Sequence, residues 1–94
     1  MSSVAFVTKA EGRFTLQKKP LAELKIGELG IVESIDPKLA IRDRLMEMGL
    51  ITNTKVQLLR FAPLGDPIEI LLRGYHLSIR KEEAQYIQVR LLRK

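Results

Sequence analysis

From residue 54 onward, apolar and polar positions alternate with a period of two, the spacing of half-buried strands. Lys55-Val56-Gln57-Leu58-Leu59-Arg60-Phe61 reads as one strand, and Ala62-Pro63-Leu64-Gly65-Asp66-Pro67 holds the Pro, Gly and Asp of a turn. Ile68-Glu69-Ile70-Leu71-Leu72 follows, with Ile68, Ile70 and Leu72 facing one way. Arg73-Gly74 punctuates a hairpin. Arg is a poor first residue for a two-residue type I′ turn, so a longer loop is expected. In Tyr75-His76-Leu77-Ser78-Ile79-Arg80 the alternation puts Tyr75, Leu77 and Ile79 inward. Lys81-Glu82-Glu83-Ala84 reads as one short turn, and Gln85–Leu91 as a last strand with Ile87, Val89 and Leu91 inward.

Upstream the pattern is less regular. Leu29-Gly30-Ile31-Val32-Glu33-Ser34-Ile35 is rich in β-branched residues, and Gly30 marks a bulge or a close backbone approach. Asp36-Pro37 suits a helix start, with Asp36 as cap and Pro37 in the first position. Ile41, Leu45 and Met48 then share one helical face, and Gly49 is placed to end the helix in a left-handed conformation. The predicted helix runs over 37–48. Pro20-Leu21-Ala22-Glu23-Leu24 reads as a single helical turn with Leu21 and Leu24 on one buried side. Before it, Phe14 and Leu16 alternate weakly. This stretch is an edge strand or a mobile arm, and Lys18-Lys19-Pro20 tilts the reading toward the arm. Residues 1–19 are therefore read as an extension and 20–92 as the domain.

About five short strands and one inserted helix indicate a mainly β fold. Five strands enclose little as a two-layer sandwich. A small, strongly twisted barrel buries more apolar surface and removes exposed strand edges. The predicted fold is an SH3-like, five-stranded, partly open barrel, with helix 37–48 covering one opening.

Composition narrows the function. The chain has 94 residues, the size of one domain, with 46% hydrophobic and 29% charged residues. There is no Cys, so neither a disulfide nor a thiolate metal site exists, and a reducing cytoplasm is expected. No apolar run approaches a membrane helix, and the start lacks the features of a signal peptide. The net charge of +5 is concentrated at the two ends: residues 21–89 carry nine basic and ten acidic groups. A nucleic-acid binder places its cations on the folded face. Here only weak binding of polyanions through the termini is expected.

Chemistry-bearing groups are sparse. His76 is the single histidine, on the outward face with Ser78 and Arg80, and cannot build a metal site or a triad by itself. The carboxylates are scattered, apart from Glu82-Glu83 in a turn. A barrel filled by side chains leaves no pocket of the usual ~300 Å³. No enzyme, cofactor or tight metal site is expected. The candidates are contact residues instead. Leu64 is an apolar residue at a loop tip beside Phe61, against the plainer reading of a turn fixed by two prolines. Arg42 and Arg44 on the helix are a docking patch, or are solvated and paired with Asp43 and Glu47.

Several ordered segments of the chain resemble the FeoA domain of bacterial ferrous iron transport systems. They are Leu21-Ala22-Glu23-Leu24-Lys25-Ile26-Gly27-Glu28, Arg44-Leu45-Met46-Glu47-Met48-Gly49-Leu50, Ala62-Pro63-Leu64-Gly65-Asp66-Pro67-Ile68, and Arg73-Gly74-Tyr75-His76-Leu77-Ser78-Ile79-Arg80-Lys81-Glu82-Glu83-Ala84. The resemblance implies an SH3-like barrel. It also implies a small cytoplasmic accessory protein of a membrane ferrous-iron permease that carries a cytosolic GTPase domain. Thr52-Asn53-Thr54 departs from the family's Pro-Gly before a Thr, and Asn53 can still take a left-handed turn conformation. Two other readings compete with it. One is a detached regulatory module of an iron-dependent repressor system, and the other is a weak nucleic-acid binder. The apolar Phe6, Val7, Phe14 and Leu16 suggest a weak monomer–dimer equilibrium.

Overall fold

Three inward side chains on each of two strands set the interior. Ile68, Ile70 and Leu72 are buried, as are Ile87, Val89 and Leu91, each set on alternate residues as a pleated strand requires. The computed structural model describes residues 14–92. Its strands are β1 (Phe14–Pro20), β2 (Leu29–Ile35), β3 (Lys55–Phe61), β4 (Ile68–Leu72), β5 (Tyr75–Ile79) and β6 (Ile87–Leu92). A 3-10 turn at Leu21–Glu23 follows β1, helix α1 (Arg42–Glu47) lies between β2 and β3, and the single-turn helix α2 (Lys81–Ala84) links β5 to β6. All pairings are antiparallel, in the order β1-β6-β2-β3-β4-β5, which leaves β1 and β5 as the edges. Leu21 and Leu24 close the core from the turn after β1, and Leu45 enters it from α1.

The strand number exceeds the sequence reading by one. Residues 14–20 form a strand on β6, with Lys18 opposite Arg90 and Pro20 opposite Gln88. The Lys18 ammonium stands 3.3 Å from Glu33 and that of Lys19 3.3 Å from Glu28. Lys and Pro, which favoured an arm, are also the residues that blunt an edge strand against pairing with another chain.

The helix is half the predicted length. Asp36 caps no helix: its Oδ1 accepts the Lys38 N–H at 2.9 Å and its carbonyl accepts the Leu39 N–H at 3.0 Å. That local turn competes with helix initiation, and α1 starts only at Arg42. Its end follows the sequence reading. Gly49 has φ +108°, its N–H bonds the Met46 carbonyl, and the Leu50 N–H bonds the Leu45 carbonyl, both at 3.0 Å. Asn53, φ +77°, makes the left-handed turn expected of it, and its N–H donates to the Val32 carbonyl at 2.8 Å. The buried Thr54 hydroxyl donates to the Gly49 carbonyl at 3.1 Å, tying α1 to the start of β3.

Two expectations about β5 are corrected. Leu72 pairs directly with Tyr75, so Arg73 (φ +49°) and Gly74 (φ +83°) make a two-residue turn with both residues left-handed, not a longer loop. The match between a type I′ turn and strand twist outweighs the roughly 1–2 kcal/mol that a left-handed non-glycine residue costs. Tyr75 shares the inward face but lies at the sheet's end, beyond the core, and is 40% exposed. Gly30 marks a close approach: a Cβ there would lie 3.2 Å from Val89 Cβ and 3.3 Å from the Arg90 carbonyl oxygen. The bulge of β2 falls between Val32 and Ser34.

On the outer face, Glu69 bridges neighbours on both sides. Its Oε1 accepts from Arg60 Nε at 2.7 Å, and its Oε2 lies 3.2 Å from His76 Nδ1. The Arg60 hydrogen bond holds the Glu69 carboxyl below the ordinary 4.5; slight desolvation opposes the shift, and His76 adds to it. A carboxyl lowered in the folded state stabilises the fold above its unfolded value, and that contribution is lost as pH falls through the folded value. Arg60→Ala is expected to move the Glu69 side-chain titration, followed by NMR, upward toward 4.5; an unmoved titration contradicts the pairing. Gly30→Val is expected to lower stability in urea unfolding by about 1–3 kcal/mol, since neither Val89 Cβ nor a backbone carbonyl can yield. Unchanged stability would show that β2 and β6 are not so closely apposed.

Candidate partner-binding surface

The turn between β3 and β4 is held at several points. Phe61 and Ile68 are the last paired residues, and beyond them the Ala62 N–H donates to the Pro67 carbonyl at 2.9 Å. The Gly65 N–H donates to the Ala62 carbonyl at 2.6 Å, with Gly65 at φ +91°. Asp66 fastens the turn to α2: its Oδ1 accepts the Lys81 backbone N–H at 2.9 Å, and its Oδ2 lies 3.9 Å from Arg80 Nη1. The Asp66–Pro67 peptide bond is cis. This framework presents Leu64 at 96% exposure. A large aliphatic side chain on a fixed turn contributes nothing to the core and is preorganised for contact.

The other three sequence candidates are placed differently. Phe61 is half-buried against the core, with the Lys81 ammonium 5.3 Å from its ring centroid, so it anchors the turn from below. Arg44 is exposed on α1. Arg42 is partly buried, with Nη1 3.7 Å from Asp43 Oδ1, and its buried Nε makes no hydrogen bond among the described residues. It lines a cleft of about 100 Å³ with Val32, Ile35, Met46 and Leu50. The four do not form one patch: α1 leads into the start of β3 at Lys55, and the Leu64 turn leaves from its end at Phe61.

One surface feature was not anticipated. A groove of about 570 Å³ lies on the outer face where β2, β3 and β4 meet, larger than the expectation for a filled barrel allowed. Leu29, Gln57 and Leu71, in one cross-strand row, line it together with Lys55, Val56, Leu72 and Arg73. The row is a product of register, and the one sequence-level sign is Leu71, an apolar residue at an outward position. The lining holds no His, Asp or Glu, and proton-transfer chemistry there lacks a carboxylate or imidazole base. Among the described residues no three His, Cys, Asp or Glu side chains gather as metal ligands, and no helix is long and apolar enough to cross a membrane.

Residues 19–91 match the FeoA domain family. Over 72 residues, 77% of the chain, the sequence is 31% identical to the Fe(2+) transport protein A/Fe(2+) transporter FeoB fusion protein of Porphyromonas gingivalis, and the match spans 8% of that protein's length. The solved structure of the FeoA protein from Chlorobium tepidum is similar with a TM-score of 0.72 and 46% identity, over 77% of this chain and 69% of that one. Stenotrophomonas maltophilia FeoA complexed with zinc, described as a prokaryotic SH3 domain protein, has a TM-score of 0.66 and 27% identity, over 74% and 87% of the two chains. A manganese-dependent transcriptional repressor has a TM-score of 0.73 at 19% identity, over 83% of this chain and 38% of that one, a likeness of fold alone. With the family match extending from the end of β1 through β6, the SH3-like chain described here belongs to the FeoA domain family, which is linked to ferrous iron transport.

Proposed function

We propose that the chain is a non-catalytic accessory protein of ferrous iron transport, acting at the cytoplasmic face by binding the membrane permease that carries a cytosolic GTPase domain. The observation that supports this most directly is the relative in which a segment similar to this chain and the transporter FeoB are one polypeptide. Fusion raises the effective concentration of one part at the other without any affinity between them. The exposed Leu64 on its fixed turn is the best-prepared contact for such a partner. Phe61 supports that turn. Arg42 and Arg44 offer a second, charged contact from α1, suited to acidic groups on the partner. In this reading Fe²⁺ is the cargo of the permease and not a ligand of the barrel. The likeness to a repressor domain is one of fold, so a soluble repressor as the main partner would replace this reading.

The test is iron uptake in cells lacking the protein, rescued by the wild type and by Leu64→Ala. The variant is expected to keep its stability within about 0.5 kcal/mol, because Leu64 packs on nothing. It is expected to bind the permease about tenfold more weakly and to rescue uptake poorly. Full rescue by Leu64→Ala would remove the turn from the contact, and uptake independent of the protein altogether would remove the proposed role.

A further inference from the structure

We propose that the groove between Lys55 and Arg73 is a second binding site, and that its occupant is an extended peptide segment of a partner protein bearing acidic and aliphatic side chains. The site involves neither Leu64 nor α1, so it stands apart from the reading above. Val56 and Leu72 are directly opposed, with Lys55 preceding the one and Arg73 following the other. Two cations thus stand at one end of the β3–β4 ladder. Lys18, Lys19, Arg60 and Arg80 each have a carboxylate within ion-pair distance. Lys55 and Arg73, like Lys25, Lys38, Arg44 and Lys81, have none among the described residues, and the lining of the groove holds no carboxylate. An anionic group brought by a partner supplies what this end of the sheet lacks.

The lining determines the rest of the occupant. Leu29 and Leu71 sit on either side of Gln57 in the same cross-strand row. The Gln57 amide is drawn off to the Gly27 carbonyl, to which its Nε2 donates at 3.0 Å. Leu29, Val56, Leu71 and Leu72 thus make the lining largely aliphatic, a seat for a Leu or Val side chain. The rim is preorganised as well: a Cβ on Gly49 would lie 3.4 Å from Arg73 Cδ, so the arginine stem rests on the turn after α1. The groove lining has no aromatic residue on which a nucleic-acid base could stack, and only two cations to follow a phosphate backbone. Both facts favour a peptide.

The probe is a short capped peptide alternating glutamate and leucine, with a control in which glutamine replaces every glutamate. Titrated into the ¹⁵N-labelled full chain, the acidic peptide is expected to shift amide signals around Leu29, Gln57, Leu71 and Arg73. The glutamine control, and the acidic peptide against the K55E/R73E double variant, are expected to bind about tenfold more weakly. Should the double variant not fold by circular dichroism, Leu71→Ser provides the same comparison through loss of part of the aliphatic lining. Equal affinity for the two peptides, shifts confined to other surfaces, or no shift at millimolar peptide would overturn the proposal. Tighter binding of a single-stranded oligonucleotide at these residues would overturn it also.

Discussion

The barrel depends on β6 lying between β1 and β2 with Ile87, Val89 and Leu91 turned inward. A fully buried aliphatic side chain contributes about 1.5–3 kcal/mol, and these three meet the inward residues of β2 and β4 in one core. Gly30 allows β2 to approach Val89 closely, and the absence of a side chain there is part of the packing. Leu21, Leu24 and Leu45 then fill the ends. With the interior occupied in this way, the candidate contacts among the described residues lie at the surface.

That surface is organised by fastening exposed segments to the barrel. Asp66 ties the β3–β4 turn to the start of α2, and Thr54 ties the turn after α1 to β3. Glu28 has a similar part near β1. Its partial burial raises the carboxyl's pKa, but the Lys25 N–H and the Lys19 ammonium outweigh that and lower it overall. A small domain whose loops are held in this way presents side chains with little ordering cost on binding. Partner recognition uses that property, and catalysis would require converging acid and base groups in addition.

Where the sequence was informative, the cause was local. The alternation in β4 and β6 needs only pleat geometry, and the Gly49 and Asn53 turns need only the backbone angles those residues tolerate. The exposure of Leu64 needs only its place at the tip of a loop. Where the reading fell short, competing local forces or distant partners decided. The Asx-type turn at Asp36 prevailed over the helical periodicity that begins beside it, and strand twist prevailed over the reluctance of Arg73. Strand β1 exists because β6 offers it an edge, which its own Lys-rich composition does not announce. The groove was illegible for the same reason: Leu29, Gln57 and Leu71 come from three strands, and their alignment is a property of register.

The proposed role is contact between this chain and a transporter. Co-purification of the full chain with a detergent-solubilised ferrous-iron permease that retains its GTPase domain, with and without guanine nucleotide, measures it most directly. A stable complex is expected under at least one nucleotide condition. No association under either condition, with both proteins folded and the rest of the transporter present, would contradict it.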